Sequence, residues 1–181
     1  YPIGTELINV GNDYFFVNSK KEKDKKAILI IGDGILYNQL ITFLNLNLNL
    51  LINSNFKITY KLHPNEVPQW KKRYSALKLL HETEKIRVIG NELPIANLIE
   101  ISEIVFGVNS TSIYESVDAG CKTFVLDLQS SDYFNDLVND NVVKKINPYK
   151  PLELNDLNFI PKQTKRFFDA SNVRAIKSIS F

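Results

Sequence analysis

The run AILIIGDG, residues 27–34, constrains the fold more than any other stretch of the chain. Its apolar residues neither alternate with polar ones, as in a half-exposed strand, nor reach the roughly twenty that a membrane span needs. A run of this kind reads as a strand buried on both faces, and Gly-Asp-Gly opens it into a turn. Such a strand needs helices above and below it, so the rest of the chain is expected to supply them.

The sequence offers them in alternation. Residues 36–52 follow as a helix: LNLNLNLLIN has the period two of a strand, but Leu40, Phe43, Leu44 and Leu48 make a helical stripe, and the helix is preferred. ITYKLHPNE at 58–66 is a strand that Pro64 ends, because proline has no amide proton for the ladder. Residues 68–84 read as one amphipathic helix with Trp70, Tyr74, Leu77 and Leu80 on one side. Strands are expected at 86–90, 103–110, 122–128 and 142–146. Helices are expected at 93–101, at 111–119 with Gly120 as a left-handed stop, around Leu137 and Val138, and at 164–179. The expected architecture is α/β, a Rossmann-like doubly wound parallel sheet. Ahead of it lie a short aromatic strand candidate at 14–17 and the charge run KKEKDKK at 20–26, which reads as solvated. Residues 1–26 are therefore expected to be a linker or the remnant of a preceding segment, and 27–181 the domain.

Composition narrows the function classes. At 181 residues and 44% hydrophobic content the chain is long enough for one well-buried domain. Its 22 basic and 20 acidic side chains leave +2, too balanced for a nucleic-acid partner. The single cysteine, Cys121, excludes an internal disulfide, fits a reducing cytosol, and is expected to pack as a small apolar residue. No apolar run is long enough to span a bilayer and no signal-peptide pattern opens the chain, so a cytoplasmic protein is expected. With no methionine anywhere, Tyr1 is not a translation start, and the chain reads as a piece of something longer.

Two strand ends hold most of the chemical information: KLHPNE at 61–66 and GVNSTSIYES at 107–116. In a parallel sheet both open on the edge where ligands bind. Asn109 and Ser110 follow the second strand, Ser110 or Thr111 can cap the next helix, and hydroxyls with free amides at that terminus suit phosphate. Plain capping accounts for the same residues equally well. Glu115, one turn into the helix, reads either as a carboxylate for two ribose hydroxyls or as a surface residue. His63, with Lys61 nearby as a point charge, reads as a phosphate-binding group, as a helix or turn cap, or as a partly buried core histidine. Gly32 and Gly34 permit close backbone approach to a ligand, but they form neither a dinucleotide fingerprint nor a Walker loop. The minimum parts of serine hydrolases, zinc proteases and thiol redox proteins are missing.

Taken together, KLHP, NSTSIYES, the glycine that ends its helix and the strand TFVLDL resemble one group. They are similar to the carboxyl-terminal, nucleotide-sugar-binding half of bacterial GT-B glycosyltransferases of the capsule, lipooligosaccharide sialyltransferase and polyglycerolphosphate transferase type. His63 and Pro64 match its His-Pro motif, Ser110, Thr111 and Ser112 its Ser/Thr-rich motif, and Glu115 and Gly120 stand where that pattern places them. RFFDASNVRAI at 166–176 is similar to its closing helix segment. The resemblance implies one half of a GT-B architecture and a CMP- or CDP-linked sugar as donor substrate, sialic acid among the candidates. It implies no cofactor and no metal held by Asp-x-Asp. It assigns leaving-group stabilisation to His63, phosphate binding to Ser110 and Ser112, and ribose or base binding to Glu115. It also implies a glycan acceptor and an amino-terminal acceptor domain or partner chain supplying the general base. The place of action would be the cytoplasm, peripheral at the inner face of the membrane.

Two rival readings stand beside it. A nucleotide-sugar 2-epimerase would need more carboxylates and a second histidine in the cleft, and His81 falls within a helical stretch. A non-catalytic nucleotide-binding module would leave the caps structural and His63 incidental.

Overall fold

Six strands form one all-parallel sheet: β1 (Asp24–Ile31), β2 (Lys57–Lys61), β3 (Arg87–Ile89), β4 (Ser102–Gly107), β5 (Lys122–Leu126) and β6 (Lys144–Ile146). They lie in the order β3-β2-β1-β4-β5-β6. The chain works outward from β1 to β3, then crosses back to β4 and outward again. The strand order thus reverses between β1 and β4, the topological switch point of a doubly wound sheet. The structure is a computed structural model that describes residues 22–129 and 131–162. Within them the chain is α/β with a Rossmann-like doubly wound sheet, as the sequence predicts. The expected segments at 14–17 and 164–179 lie outside the described residues.

Burial on both faces explains the apolar runs. Ile28 and Ile30 of β1 join Ile58, Tyr60, Ile104, Phe106 and Phe124 in a core on one face. There they meet α1 (Tyr37–Asn53) through Leu40, Phe43, Leu44 and Leu48, the helical stripe read from the sequence, and through Leu51. Leu29 and Ile31 point the other way, with Ile89, Val105 and Val125, towards α4 (Ile95–Ile101), α5 (Ser112–Asp118) and α6 (Asn135–Asn139). Successive strand residues alternate faces, so each strand of the centre carries two apolar stripes.

Asn47 resolves the ambiguity of the Asn-Leu repeat. It is fully buried, donates from Nδ2 to the Phe43 carbonyl at 2.7 Å, and accepts the Leu152 N–H at 2.7 Å. Asn45 and Asn49 face solvent. A strand would have put all three on one side; the helix puts one inside, where it ties the chain after β6 to α1.

The sequence reading needs correction at two places. The charge run is not wholly a solvated linker, because β1 begins within it at Asp24. Lys23 folds inward, and its Nζ donates to the carbonyls of Ile99 (3.2 Å) and Ser102 (2.9 Å) and to Cys121 Sγ (3.1 Å). Carbonyls left open at the end of α4 attract a cation, which a charge count along the chain cannot reveal. The helix expected over 68–84 is broken into a 3-10 turn at Val67–Gln69, then α2 (Trp70–Arg73) and α3 (Ser75–Glu82). The break falls at Tyr74, at φ −120° and ψ 70°. Its ring stacks on Tyr37 of α1 with 3.7 Å between centroids, and the apolar side of Tyr74, Leu77 and Leu80 is buried as expected. Gly120, at φ +72°, ends the turn after α5 in the left-handed region as predicted.

Candidate functional site

The chain KLHPNE ends β2 with a tight turn. The Glu66 N–H donates to the His63 carbonyl at 2.8 Å, and Pro64, with its fixed φ, occupies the second position that such turns favour. The Glu66 carboxylate then reaches back, and its Oε2 accepts the His63 N–H at 2.6 Å. The His63 ring stands exposed, and its Nδ1 accepts the Asn65 N–H at 3.2 Å. An imidazole that accepts at Nδ1 carries its neutral-form proton on Nε2. His63 therefore presents an N–H donor away from its own turn.

Lys61, expected from the sequence as a point charge near His63, is tied to main-chain carbonyls. Its Nζ donates to the carbonyls of Gly90 and, at 2.9 Å, Leu93, tying the end of β2 to the loop after β3. Burial pulls its ammonium below the usual lysine range, with Glu92 opposing. Its charge still borders the site, and two of its three donors are engaged by these carbonyls.

At the end of β4, Ser110 Oγ accepts the Ser112 N–H at 3.2 Å, while the Ile113 and Tyr114 amides go to the Ser110 and Thr111 carbonyls. The first-turn amides of α5 are thus taken up locally. Any anion contact here falls to the hydroxyls rather than to the free helix amides that the sequence reading expected. Thr111 precedes α5 without a side-chain capping bond.

These strand ends enclose a cleft of about 260 Å³ at the switch point. Gly32, Lys61, His63, Pro64, Ser110 and Ser112, all singled out from the sequence, line it together. Ile31, Leu62 and Ile95 make its apolar wall, and no carboxylate is among the described residues that line it. A cleft lined by one cation, hydroxyls and an imidazole, with no anionic side chain in the lining itself, has the polarity that suits an anion. Its volume lies just below the range of ordinary ligand pockets, roughly 300–1,000 Å³.

The remaining candidates lie outside this lining. Gly34 faces the His63 turn, where a Cβ would come 3.9 Å from His63 Nδ1. Asn109 and Thr111 are exposed nearby. Glu115 is half-buried, burial pushes its carboxyl up from the usual range, and a hydrogen bond from Ser112 opposes that shift. Ser112 is thus the side chain that links Glu115 to the cleft.

Two residues escaped the sequence reading. Asn91, after β3, lines the cleft beside the end of β2, and no local pattern marks it. Glu66, only 1% exposed, packs behind Gly32: a Cβ added to Gly32 would stand 2.5 Å from Glu66 Oε2 and 2.7 Å from the Lys61 carbonyl. The close approach that Gly32 permits is therefore within the protein. Burial pushes the Glu66 carboxyl up from the usual range, against the His63 N–H bond, and nearby Asp33 pushes it the same way. Its signal in the sequence was position, three residues after a histidine with proline between. Asp33 itself caps the entry to α1, its Oδ1 accepting the Ile35 and Leu36 amides at 2.9 and 3.1 Å.

Among the described residues no three His, Cys, Asp or Glu side chains come together as a metal-holding group, and no helix is long and apolar enough to cross a membrane. His81 sits in α3, its Nδ1 accepting the Val88 N–H at 3.3 Å and its ring edge-on to Trp70. It does not line the cleft.

No protein-family model matches the chain. It is 30% identical over 135 residues to an uncharacterized protein of Methanocaldococcus jannaschii, a match covering 72% of this chain and 24% of that protein. The chain thus spans about a quarter of the length of that curated relative. Among solved structures it is similar to lactate dehydrogenase from Eimeria maxima, crystallised with NADH and oxamate. The TM-score is 0.33 at 13% identity, over 59% of this chain and 37% of that one. The fold assignment rests on the strand order itself.

Proposed function

We propose that this domain binds the nucleotide phosphate of a CMP- or CDP-linked sugar, as the donor half of a GT-B glycosyltransferase that passes the sugar to a surface glycan. The observation that carries the reading is the convergence of the His63-Pro64 turn with Ser110 and Ser112 on one cleft without a lining carboxylate. The reaction is displacement at the anomeric carbon, in which the bond to the nucleotide phosphate oxygen breaks as the acceptor oxygen forms its own. Negative charge grows on the departing phosphate, and a donor aimed at that charge lowers the barrier. His63 Nε2–H is such a donor, the serine hydroxyls bind the phosphate, and Lys61 adds background charge. The acceptor and the general base belong to a further domain or partner chain, in keeping with a relative about four times as long as the matched segment. The proposed setting is the cytoplasmic face of the membrane.

A non-catalytic nucleotide-binding module is the rival that specific observations favour, since Ser110 acts as a cap and the Lys61 ammonium is engaged. The epimerase reading finds no second histidine at the cleft, because His81 lies in α3.

Calorimetric titration with CMP, CDP, UMP, UDP and GDP tests the proposal. A cytidine nucleotide is expected to bind selectively, with His63→Ala and Ser112→Ala each weakening it by about 1 kcal/mol or more. A uridine preference would change the donor class. No binding by the folded chain, followed by none with a longer chain carrying the preceding domain, would overturn the reading.

A further inference from the structure

We propose that Glu66 is the positioning residue of this cleft: by holding the His63 main-chain N–H while packing against Gly32, it locks the adjoining ends of β1 and β2 in register and fixes where the His63 imidazole stands. Glu66 lies outside both matched motifs. Its part in ligand binding rests on the nucleotide-phosphate reading above; its part in orienting His63 does not.

The geometry is specific. Oε2 accepts the His63 N–H at 2.6 Å, and the Glu66 N–H closes the same turn on the His63 carbonyl at 2.8 Å, so residue 63 is held at both its main-chain polar groups by residue 66. The Gly32 N–H donates to the Lys61 carbonyl at 2.8 Å, and the absent Gly32 side chain leaves the space that the carboxyl fills. With the main chain of His63 held, the Asn65 N–H can reach Nδ1 at 3.2 Å and set the tautomer that leaves Nε2–H to donate. The chain of positioning runs from Glu66 through the turn to the ring.

The carboxyl sits among groups from every element around it. Tyr60 of β2, Tyr37 of α1, Tyr74 between α2 and α3, Asp33 of the loop after β1, and Arg73 of α2 all act on it electrostatically. Its Oε1 and the Tyr60 hydroxyl are both buried without a hydrogen bond of ordinary geometry. A surface cap would be exposed; this one is enclosed, as expected of a group that supports a site from behind.

The test uses the protein's two histidines as separate reporters. Ring 15N NMR distinguishes the Nε2–H tautomer from an averaged one, and His81, held through Nδ1 by Val88, reports that the fold is intact. In Glu66→Ala the His63 signature is expected to become averaged while His81 stays unchanged, with Glu66→Gln restoring the His63 signature. Affinity for CMP is expected to fall about fivefold or more in the alanine variant and to recover largely in the glutamine variant. If Glu66→Ala fails to fold, as His81 will reveal, Glu66→Asp takes its place, since it keeps the carboxyl but withdraws the oxygen by one methylene. An unperturbed His63 signature in a folded variant overturns the proposal. If wild-type protein binds no CMP, the longer chain carrying the preceding domain decides the nucleotide reading, while the ring signals still decide the role of Glu66.

Discussion

The Gly32 N–H and the Lys61 carbonyl remain hydrogen-bonded at 2.8 Å beyond the last residue of β1, so the sheet carries its register into the loops that form the cleft. A Cβ at Gly32 would stand 2.7 Å from that carbonyl and 2.5 Å from Glu66 Oε2. Neither neighbour is the free end of an exposed side chain. Gly32→Ala is expected to destabilise the fold by about 1–3 kcal/mol, the usual effect of overpacking, as measured by urea unfolding. Wild-type stability in this variant would contradict the close packing of Gly32 on Glu66.

Glu66 makes stability depend on pH in a definite direction. Its folded-state carboxyl is raised above the ordinary glutamate value of about 4.3, chiefly by burial. The contribution of such a group is fully present below that ordinary value and is lost as pH rises through the raised one. Glu66→Gln does not titrate. Relative to wild type it is therefore expected to gain stability as pH rises from 4 to 8, read as a growing difference in melting temperature. A difference that shrinks over that range would contradict the burial argument.

Asn47 offers a test of the fold away from the cleft. Replacing it with leucine leaves the buried Leu152 N–H without an acceptor, at an expected cost of about 1–3 kcal/mol in chemical unfolding. The same change at Asn45, which faces solvent, is expected to stay within about 0.5 kcal/mol.

Ser110 separates capping from ligand binding. Ser110→Ala removes the acceptor of the Ser112 N–H and is expected to cost about 0.5–2 kcal/mol of stability. If the hydroxyl also serves a phosphate, CMP affinity falls in the same variant, whereas Ser110→Gly, which costs a cap only a few tenths of a kcal/mol, shows the affinity loss nearly alone. Equal affinity in wild type and both variants would leave Ser110 as a cap only.

The sheet and its two faces were legible because burial on both sides of a strand leaves an uninterrupted apolar run, as in residues 27–31. The convergence of His63 with Ser110 and Ser112 was legible for a topological reason: parallel strands deliver their carboxyl ends to one edge. What stayed hidden depends on contacts distant in sequence. Lys23 looks like any member of a charge run until α4 brings open carbonyls beside it. Tyr74 interrupts a helical pattern because its ring stacks on Tyr37, thirty-seven residues earlier. Asn91 carries no local motif, Glu66 is marked only by its place three residues after His63, and Lys61 reads as a point charge until the loop after β3 supplies its acceptors.

The central claim is that this cleft receives a nucleotide phosphate. Amide 1H–15N shift mapping during titration with CMP tests it most directly. The account predicts shifts concentrated at Gly32, His63, Asn91, Ser110 and Ser112, with Cys121 at the opposite end of the sheet unmoved. Shifts clustered away from these strand ends, or none at saturating CMP both in the folded protein and in a longer chain carrying the preceding domain, would contradict it.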